Sequence, residues 1–445
     1  MFIISRKLRK EDKYLSDLGE NQYRDLFIGI DTQVPLVNGK MIVPIGFDNG
    51  ATTPSFKSSY RAFCRGLLTY GAVARGTGQK SETTTQLYEN ARQIILNFFN
   101  VGKDDNYTAI FAKHTTECMN ILANVLIKDK NERVLTTRME HHANDLPWRH
   151  TCMVDYVEVD ENGRLKIDEL ESKLKKSNGK IKYVSITGAS NVTGYVNPIH
   201  EIATICHRYN AKIIVDAAQL VAHKKINMRG SKPCERIDFL VFSSHKAYAP
   251  YGSGAIIGLK DDLSNVAPYL RGGGCVEAVL DNDVIWTDVP NLHEAGSPNS
   301  LGAMATARSL IQLKQIGMDN IYNHEMKIKE YLIKEMKKID RVILYGDCQR
   351  IDDRLGIIVF NIEGQNHKYI AKRFADDRAI ALRSGKFCAH PYCNRLMGIS
   401  NEQACYIAYN DEEPLGMVRA SLGLYNTMEE AQIFIDYLKY LVSTL

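Results

Sequence analysis

Between residues 47 and 317 the chain alternates short apolar runs with helix-length stretches, and few folds accept that pattern. The runs at 107–111, Arg133–Thr137, Ile181–Thr187, Lys212–Asp216, Phe239–Ser243 and 254–258 read as strands. The stretches at 82–99, 117–127 and 198–209 read as helices. Strands that alternate with helices predict an α/β unit, with a mostly parallel sheet and helices on both faces. Ligands of such sheets bind beyond the carboxyl ends of the strands.

Two of those strand ends carry chemistry. Ile213-Ile214-Val215 ends in Asp216-Ala217-Ala218-Gln219, and Phe239–Ser243 runs on into Ser244-His245-Lys246. By residue type alone, Ser-Ser-His-Lys after a strand is also an ordinary polar loop. An acid at one strand end and a lysine at the next suit pyridoxal phosphate. That cofactor needs a lysine for its aldehyde and a carboxylate for its pyridinium nitrogen.

At 445 residues the chain has room for two domains. A polar helix at 326–338 leads out of the first unit. Strands follow at 341–345 and 355–362, then helices at 369–376 and 433–442. The expected organisation is a large domain at 45–320 and a smaller C-terminal α/β domain at 321–445, with segment 1–44 packing with the small domain or across the join. A net charge of +4, carried by scattered lysines, argues against a nucleic-acid partner. Lys7, Arg9, Lys10 and Lys13 are interrupted by Glu11 and Asp12 and read as a solvated helix face. No apolar stretch reaches the ~20 residues of a membrane helix. Met1-Phe2-Ile3-Ile4 is too short an apolar run for a secretory signal. The ten cysteines are scattered, which fits a reducing cytoplasm better than a disulfide framework.

Six further segments join the strand-end pair, making eight in all. In order they are Phe47-Asp48-Asn49-Gly50-Ala51-Thr52-Thr53-Pro54, Thr115-Thr116-Glu117, Glu140-His141-His142-Ala143-Asn144, Asp216-Ala217-Ala218-Gln219, Ser243-Ser244-His245-Lys246, Glu294-Ala295-Gly296-Ser297-Pro298-Asn299, Arg383-Ser384-Gly385-Lys386-Phe387-Cys388 and Arg419-Ala420-Ser421-Leu422. Together they resemble the class V aminotransferase superfamily of fold-type I pyridoxal phosphate enzymes. The likeness is greatest to the cysteine desulfurase / selenocysteine lyase family, in its group II branch. It covers nearly the whole chain after residue 25.

The resemblance implies a role for each residue. Lys246 carries the cofactor, Asp216 faces its ring nitrogen, Gln219 its ring hydroxyl, and His141 stacks on the ring. Thr115, Thr116, Ser243 and His245 hold the phosphate, and Ser297 reaches it from a second subunit of a homodimer. Thr115 would serve equally as a plain helix N-cap, and His114 stands where the family has glycine. Gly272-Gly273-Gly274 fits a loop near the subunit boundary. Asn191 and Arg419 hold the substrate carboxylate, with Arg383 and Arg75 nearby. A planar guanidinium is the fitting group for a carboxylate. Cys388 is the nucleophile, bracketed by Gly385 and Pro391, with Arg383, Lys386 and His390 available to favour thiolate. Lys386-Phe387 replaces the paired histidines of many relatives, and 397–416 looks like an insertion.

The implied reaction removes sulfur from L-cysteine. Lys246 takes the Cα proton, Cys388 becomes a persulfide, alanine leaves, and an acceptor protein receives the sulfur. L-Selenocysteine lyase activity would share almost every residue. A C–S lyase or epimerase would need Lys246 but not Cys388. A zinc scaffold would instead use Cys388, His390 and Cys393, with Cys405 twelve residues on. The favoured reading has no metal.

Overall fold

The computed structural model describes residue 18 and residues 22–74, 76–102, 106–410 and 415–445. Arg75 and the basic cluster at 7–13 lie outside the described residues. The central sheet has seven strands: β1 (Tyr107–Ala112), β2 (Arg133–Thr137), β3 (Met153–Val157), β4 (Ile181–Thr187), β5 (Lys212–Asp216), β6 (Phe239–Ser243) and β7 (Gly254–Leu259). They lie in the order β1-β7-β6-β5-β4-β2-β3. Every neighbouring pair is parallel except those of β7, which runs antiparallel to both β1 and β6. The α/β expectation holds, and six of the seven strands are those read from the sequence. The seventh, β3, sits at the sheet edge with only Val157 fully buried. Its apolar signal is correspondingly weak.

Side chains leave the sheet alternately to its two faces. Ile214, Val241 and Ile256 enter one core beneath helix Thr115–Leu126. Ile213, Val215, Leu240 and Phe242 enter the other. Each such side chain, fully buried, contributes about 1.5–3 kcal/mol. Burial on both faces also explains why β5 and β6 read as continuous apolar runs rather than alternating ones.

A second sheet is antiparallel throughout. Its strands β8 (Val342–Leu344), β9 (Ile357–Ile362), β10 (Arg383–Gly385) and β11 (Met417–Ser421) lie in the order β8-β9-β11-β10. Helices His367–Arg378 and Met428–Ser443 contribute Phe374, Phe434 and Leu438 to its core, beside Phe360 of β9. Ile45 and Phe47 pack in this same core, and Ile45–Gly46 pairs with Ile380–Ala381.

The described part of segment 1–44 makes contacts on both sides of the join between the two sheets. Phe27 packs on the rings of Phe56, Tyr248 and Tyr425, while Arg24 forms a 2.6 Å ion pair with Glu430. Each residue goes where its chemistry is satisfied, the ring to an apolar pocket and the guanidinium to a carboxylate. Within 397–416, Asn401–Tyr409 is a helix opened by a Ser400–Gln403 capping box, and none of its residues is buried. No helix among the described residues is long and apolar enough to cross a membrane.

Candidate active site

Parallel pairing sets Asp216 of β5 opposite Val241 of β6. The two strands therefore end side by side, at the rim where ligands of such sheets bind. Beyond Ser243 the chain turns through a short 3-10 helix, Ser244–Lys246. A pocket of about 510 Å³ opens there, with Asp216, Lys246, His141, Thr115 and Cys388 among its lining residues.

The Lys246 amine faces the pocket on one side and is enclosed by protein on the others. Loss of hydration pushes its pKa down to about 8, against the opposing pull of the Asp216 carboxylate. Asp216 is buried, accepts a hydrogen bond from Ala218 N–H at 2.9 Å, and has its pKa raised by that burial. Lys246 and Asp216 thus moderate each other across adjacent strand ends. His141 has its Nδ1 occupied by the Ala143 N–H at 3.0 Å. Burial, then the Lys246 charge, push its pKa down to about 3, so the ring is neutral. Gln219 is buried and donates to the Gly50 carbonyl at 2.7 Å.

The start of helix Thr115–Leu126 forms one wall. The Thr115 N–H and its hydroxyl both meet Ser243 Oγ at 2.8 Å, and Thr116 also lines the pocket. His245, another lining residue, has its pKa pushed down to about 4 by burial and by Lys246. His114 is the N-cap: its Nδ1 accepts from Glu117 N–H at 3.2 Å. The departure from glycine at 114 is thus accommodated by a side chain that caps the helix. Gly254 makes room for it, since a Cβ there would lie 3.0 Å from His114 Cα.

Cys388 is exposed and lines the same pocket. Phe387 and Cys388 are consecutive residues at φ 50° and 54°, a left-handed conformation that costs non-glycine residues about 1–3 kcal/mol each. Three hydrogen bonds hold them there. Asn191 Nδ2 donates to the Phe387 carbonyl at 2.7 Å, His142 N–H to the Cys388 carbonyl at 2.7 Å, and Ala389 N–H to the Lys386 carbonyl at 2.8 Å. Arg419 is buried, crosses the Phe387 ring at 5.1 Å, and donates to the Asn191 carbonyl at 2.8 Å.

Most of the residues expected from sequence therefore converge. Ser297 does not reach this pocket within its own chain, but lines a neighbouring one of about 220 Å³ beside Glu294 and Leu270. Cys388, His390 and Cys393 do not gather around a common centre. Cys393 is buried and donates from Sγ to the Lys386 carbonyl at 3.3 Å. Among the described residues, no group of three or more His, Cys, Asp or Glu side chains is placed to hold a metal ion. Sequence reasoning missed two contributors. His142 also accepts the His390 N–H at 3.4 Å and packs on its ring. Asp48 binds both pocket arginines. Both residues sit in quoted motifs, yet nothing local signals their partners.

The donor set fits pyridoxal 5'-phosphate. There is an amine for an aldehyde, a buried carboxylate facing it, and a helix N-terminus with hydroxyls for a phosphate. Fold and site together define an α/β enzyme of the fold-type I pyridoxal phosphate class. The model of the family Aminotransferase class-V matches residues 45–434. A cysteine desulfurase of Shigella sonnei is 33% identical over 380 residues, covering 83% of this chain and 86% of that protein. One from Klebsiella pneumoniae is 32% identical, covering 81% and 84%. The apo cysteine desulfurase of Thermococcus onnurineus superimposes with a TM-score of 0.80 at 29% identity, over 94% of this chain and 98% of that one. A cysteine desulfurase structure from Escherichia coli shares the fold, with a TM-score of 0.80 at 22% identity, over 96% of this chain and 99% of that one. The chain belongs to the class-V aminotransferase family, among its cysteine desulfurase-like members, a family of pyridoxal-phosphate-dependent enzymes.

Proposed function

We propose that this protein is an L-cysteine desulfurase, which converts L-cysteine to L-alanine and leaves the sulfur on Cys388. The observation that carries this reading is one pocket lined together by an exposed thiol, a half-enclosed lysine and a buried acid. Pyridoxal 5'-phosphate, when bound, supplies an electron sink for negative charge at the substrate Cα. Lys246 would hold its aldehyde, Asp216 its ring nitrogen, Gln219 its ring hydroxyl, and neutral His141 its ring face. Thr115, Thr116, Ser243 and His245 would hold its phosphate.

Arg419, with Arg383 and Asn191, binds and orients the substrate carboxylate. The Lys246 amine, lowered to about 8, takes the proton from Cα near neutral pH. Cys388 Sγ, as thiolate, attacks the substrate sulfur. The new S–S bond forms as the C–S bond breaks, and that bond's electron pair stays with Cβ. Protonation of Cβ and Cα completes alanine. Cys388 is left as a persulfide for transfer to a thiol-bearing acceptor protein. Measuring alanine and protein persulfide produced from L-cysteine tests the whole reading. An enzyme that makes neither is not a desulfurase.

Arg419→Lys keeps the charge and loses the planar fork. Binding of L-cysteine should weaken by about 1.5–3 kcal/mol, the scale of a charge-assisted hydrogen bond. Unchanged KM and kcat would remove Arg419 from the substrate site.

A homodimer completes the site in this reading, with Ser297 of the second copy reaching the phosphate. Its support is an apolar ribbon. Strands Val276–Val279 and Val284–Trp286 form an isolated two-stranded sheet, with Val279, Leu280 and Ile285 exposed. An isolated pair of strands is marginal in water without something to pack on. The double variant Leu280→Asp, Ile285→Asp should shift the protein to monomer by light scattering and weaken cofactor retention. A dimer that survives this change uses another surface.

A further inference from the structure

A second cavity, of about 640 Å³, opens where the loop between β8 and β9 lies against the segments that follow β3, β4 and β5. No step of the proposed reaction uses it. The loop is fixed in place. Arg164 Nε donates to Asp353 Oδ2 at 2.9 Å and its Nη1 to Asp347 Oδ2 at 3.0 Å. Val196 N–H donates to the Asp353 carbonyl at 2.8 Å, and buried Lys329 to the Arg354 carbonyl at 2.7 Å. The lining has two chemistries. Leu165, Ile167, Val196, Ile199 and Leu220 supply an apolar surface. Arg164, Lys224, Lys225 and Arg350 are cations there, against the acids Glu201 and Asp353. Arg164 and Asp353 satisfy each other, and Arg350 has Asp352 and Asp353 at 3.5 and 3.6 Å. The two lysines are different. Lys224 Nζ lies 5.2 Å from the centre of the Tyr322 ring, and Lys225 is exposed. Among the described residues neither ammonium is ion-paired. Cavities of this size, apolar with a few polar groups and placed at a domain boundary, are where small ligands bind.

One turn separates this cavity from the Cys388 loop. Ser190 N–H donates to the Tyr195 carbonyl at 2.9 Å and Gly194 N–H to the Ser190 carbonyl at 3.0 Å, which closes residues 190–195. On one side of the turn Asn191 holds the Phe387 carbonyl. On the other, Tyr195 and Val196 line the cavity. Thr193, between them, bonds the Tyr392 hydroxyl at 2.9 Å, and its carbonyl accepts from Arg354 Nε at 2.8 Å. Tyr392 belongs to helix His390–Leu396, which begins two residues after Cys388.

We propose that this cavity is a second ligand site, taking a small organic anion with an apolar body and one acidic head, and that its occupant restrains the Cys388 loop through the 190–195 turn. The apolar lining takes the body, and Lys224 and Lys225 take the acid. An occupant packed on Tyr195 and Val196 limits their movement. The turn that they end then keeps Asn191 on the Phe387 carbonyl. Two sites joined by one element in this way are coupled, because whatever steadies the element at one end is felt at the other.

The fluorescent probe 8-anilinonaphthalene-1-sulfonate and its uncharged parent, N-phenyl-1-naphthylamine, share one apolar body and differ in the acid. The cofactor-loaded enzyme is titrated with each. The sulfonate should bind about tenfold tighter, the scale of two partly exposed ion pairs. The double variant Lys224→Gln, Lys225→Gln should remove that advantage and leave the affinity of the parent unchanged. Iodoacetamide labelling of Cys388 is followed in parallel by peptide mass, with exposed Cys405 as the internal reference. Saturating sulfonate should slow labelling of Cys388, and not of Cys405, by about fivefold, the low end of ordinary coupling between sites. In the double variant, at the same probe concentration, that slowing should be absent. A sulfonate affinity that the double variant leaves unchanged overturns the site. So does equal weakening of both probes, which is a purely structural effect of the substitutions. Cys388 labelling at one rate with and without saturating sulfonate overturns the restraint. None of these measurements needs turnover of L-cysteine, so failure here is distinct from failure of the desulfurase reading.

Discussion

Cys388→Ala should leave the protein folded and still binding cofactor, while alanine production from L-cysteine falls by roughly a thousandfold or more, the scale on which losing a nucleophile acts. The pocket explains the separation. The groups proposed to hold the cofactor, Lys246, Asp216, Thr115 and Ser243, sit on the strand ends and the helix start. Cys388 sits on a separate segment of the pocket lining, in a loop pinned by Asn191 and His142. Removing Sγ changes neither hydrogen bond, since both end on main-chain carbonyls. The comparison is Cys393→Ala. That thiol is buried and faces the Lys386 carbonyl, and burial pushes its pKa up to about 12. It is a poor nucleophile, and its loss should leave most turnover intact. Turnover of L-cysteine at the normal rate by Cys388→Ala would make this a lyase of another kind.

Lys246→Ala should abolish the covalent, borohydride-reducible link to the cofactor. It should also cost about 10²–10⁴-fold in turnover from lost proton transfer alone. Peptide mapping that places the link on another lysine would remove Lys246 from its central role. The lowered pKa of the amine adds a pH dependence that needs no turnover. Only the neutral amine attacks an aldehyde. Capture of added cofactor by the cofactor-free protein should therefore accelerate as pH rises, reaching half its limiting rate at about 8. The sign follows from burial, which favours the neutral form of an amine. A midpoint near that of a free lysine would mean that the pocket leaves the amine hydrated.

Much of the site was legible because its parts are local. Each strand end reads as an apolar run stopping at a polar residue, and the stop places Asp216 and Lys246 without knowledge of any contact. Parallel strands covered on both faces are nearly all apolar, so β5 and β6 stood out, while edge strand β3 did not. His114 shows the limit of motif matching. Read against a pattern it was a departure, yet its ring does the capping that the helix start needs.

The amino-acid sequence by itself determined the α/β class and singled out Lys246, Asp216 and Cys388 as the residues to test. Each of these follows from spacing along the chain or from motif order. Only the tertiary structure decided which groups share charge. Asp48 meets Arg383 and Arg419 across 335 and 371 residues. It also set the left-handed backbone that displays Cys388, and it brought Phe27 against Phe56, Tyr248 and Tyr425 and Arg24 onto Glu430. The physical reason is the same in each case. Hydrogen bonds and ion pairs act over a few ångströms of space, and sequence separation carries no information about them once the chain has folded back on itself.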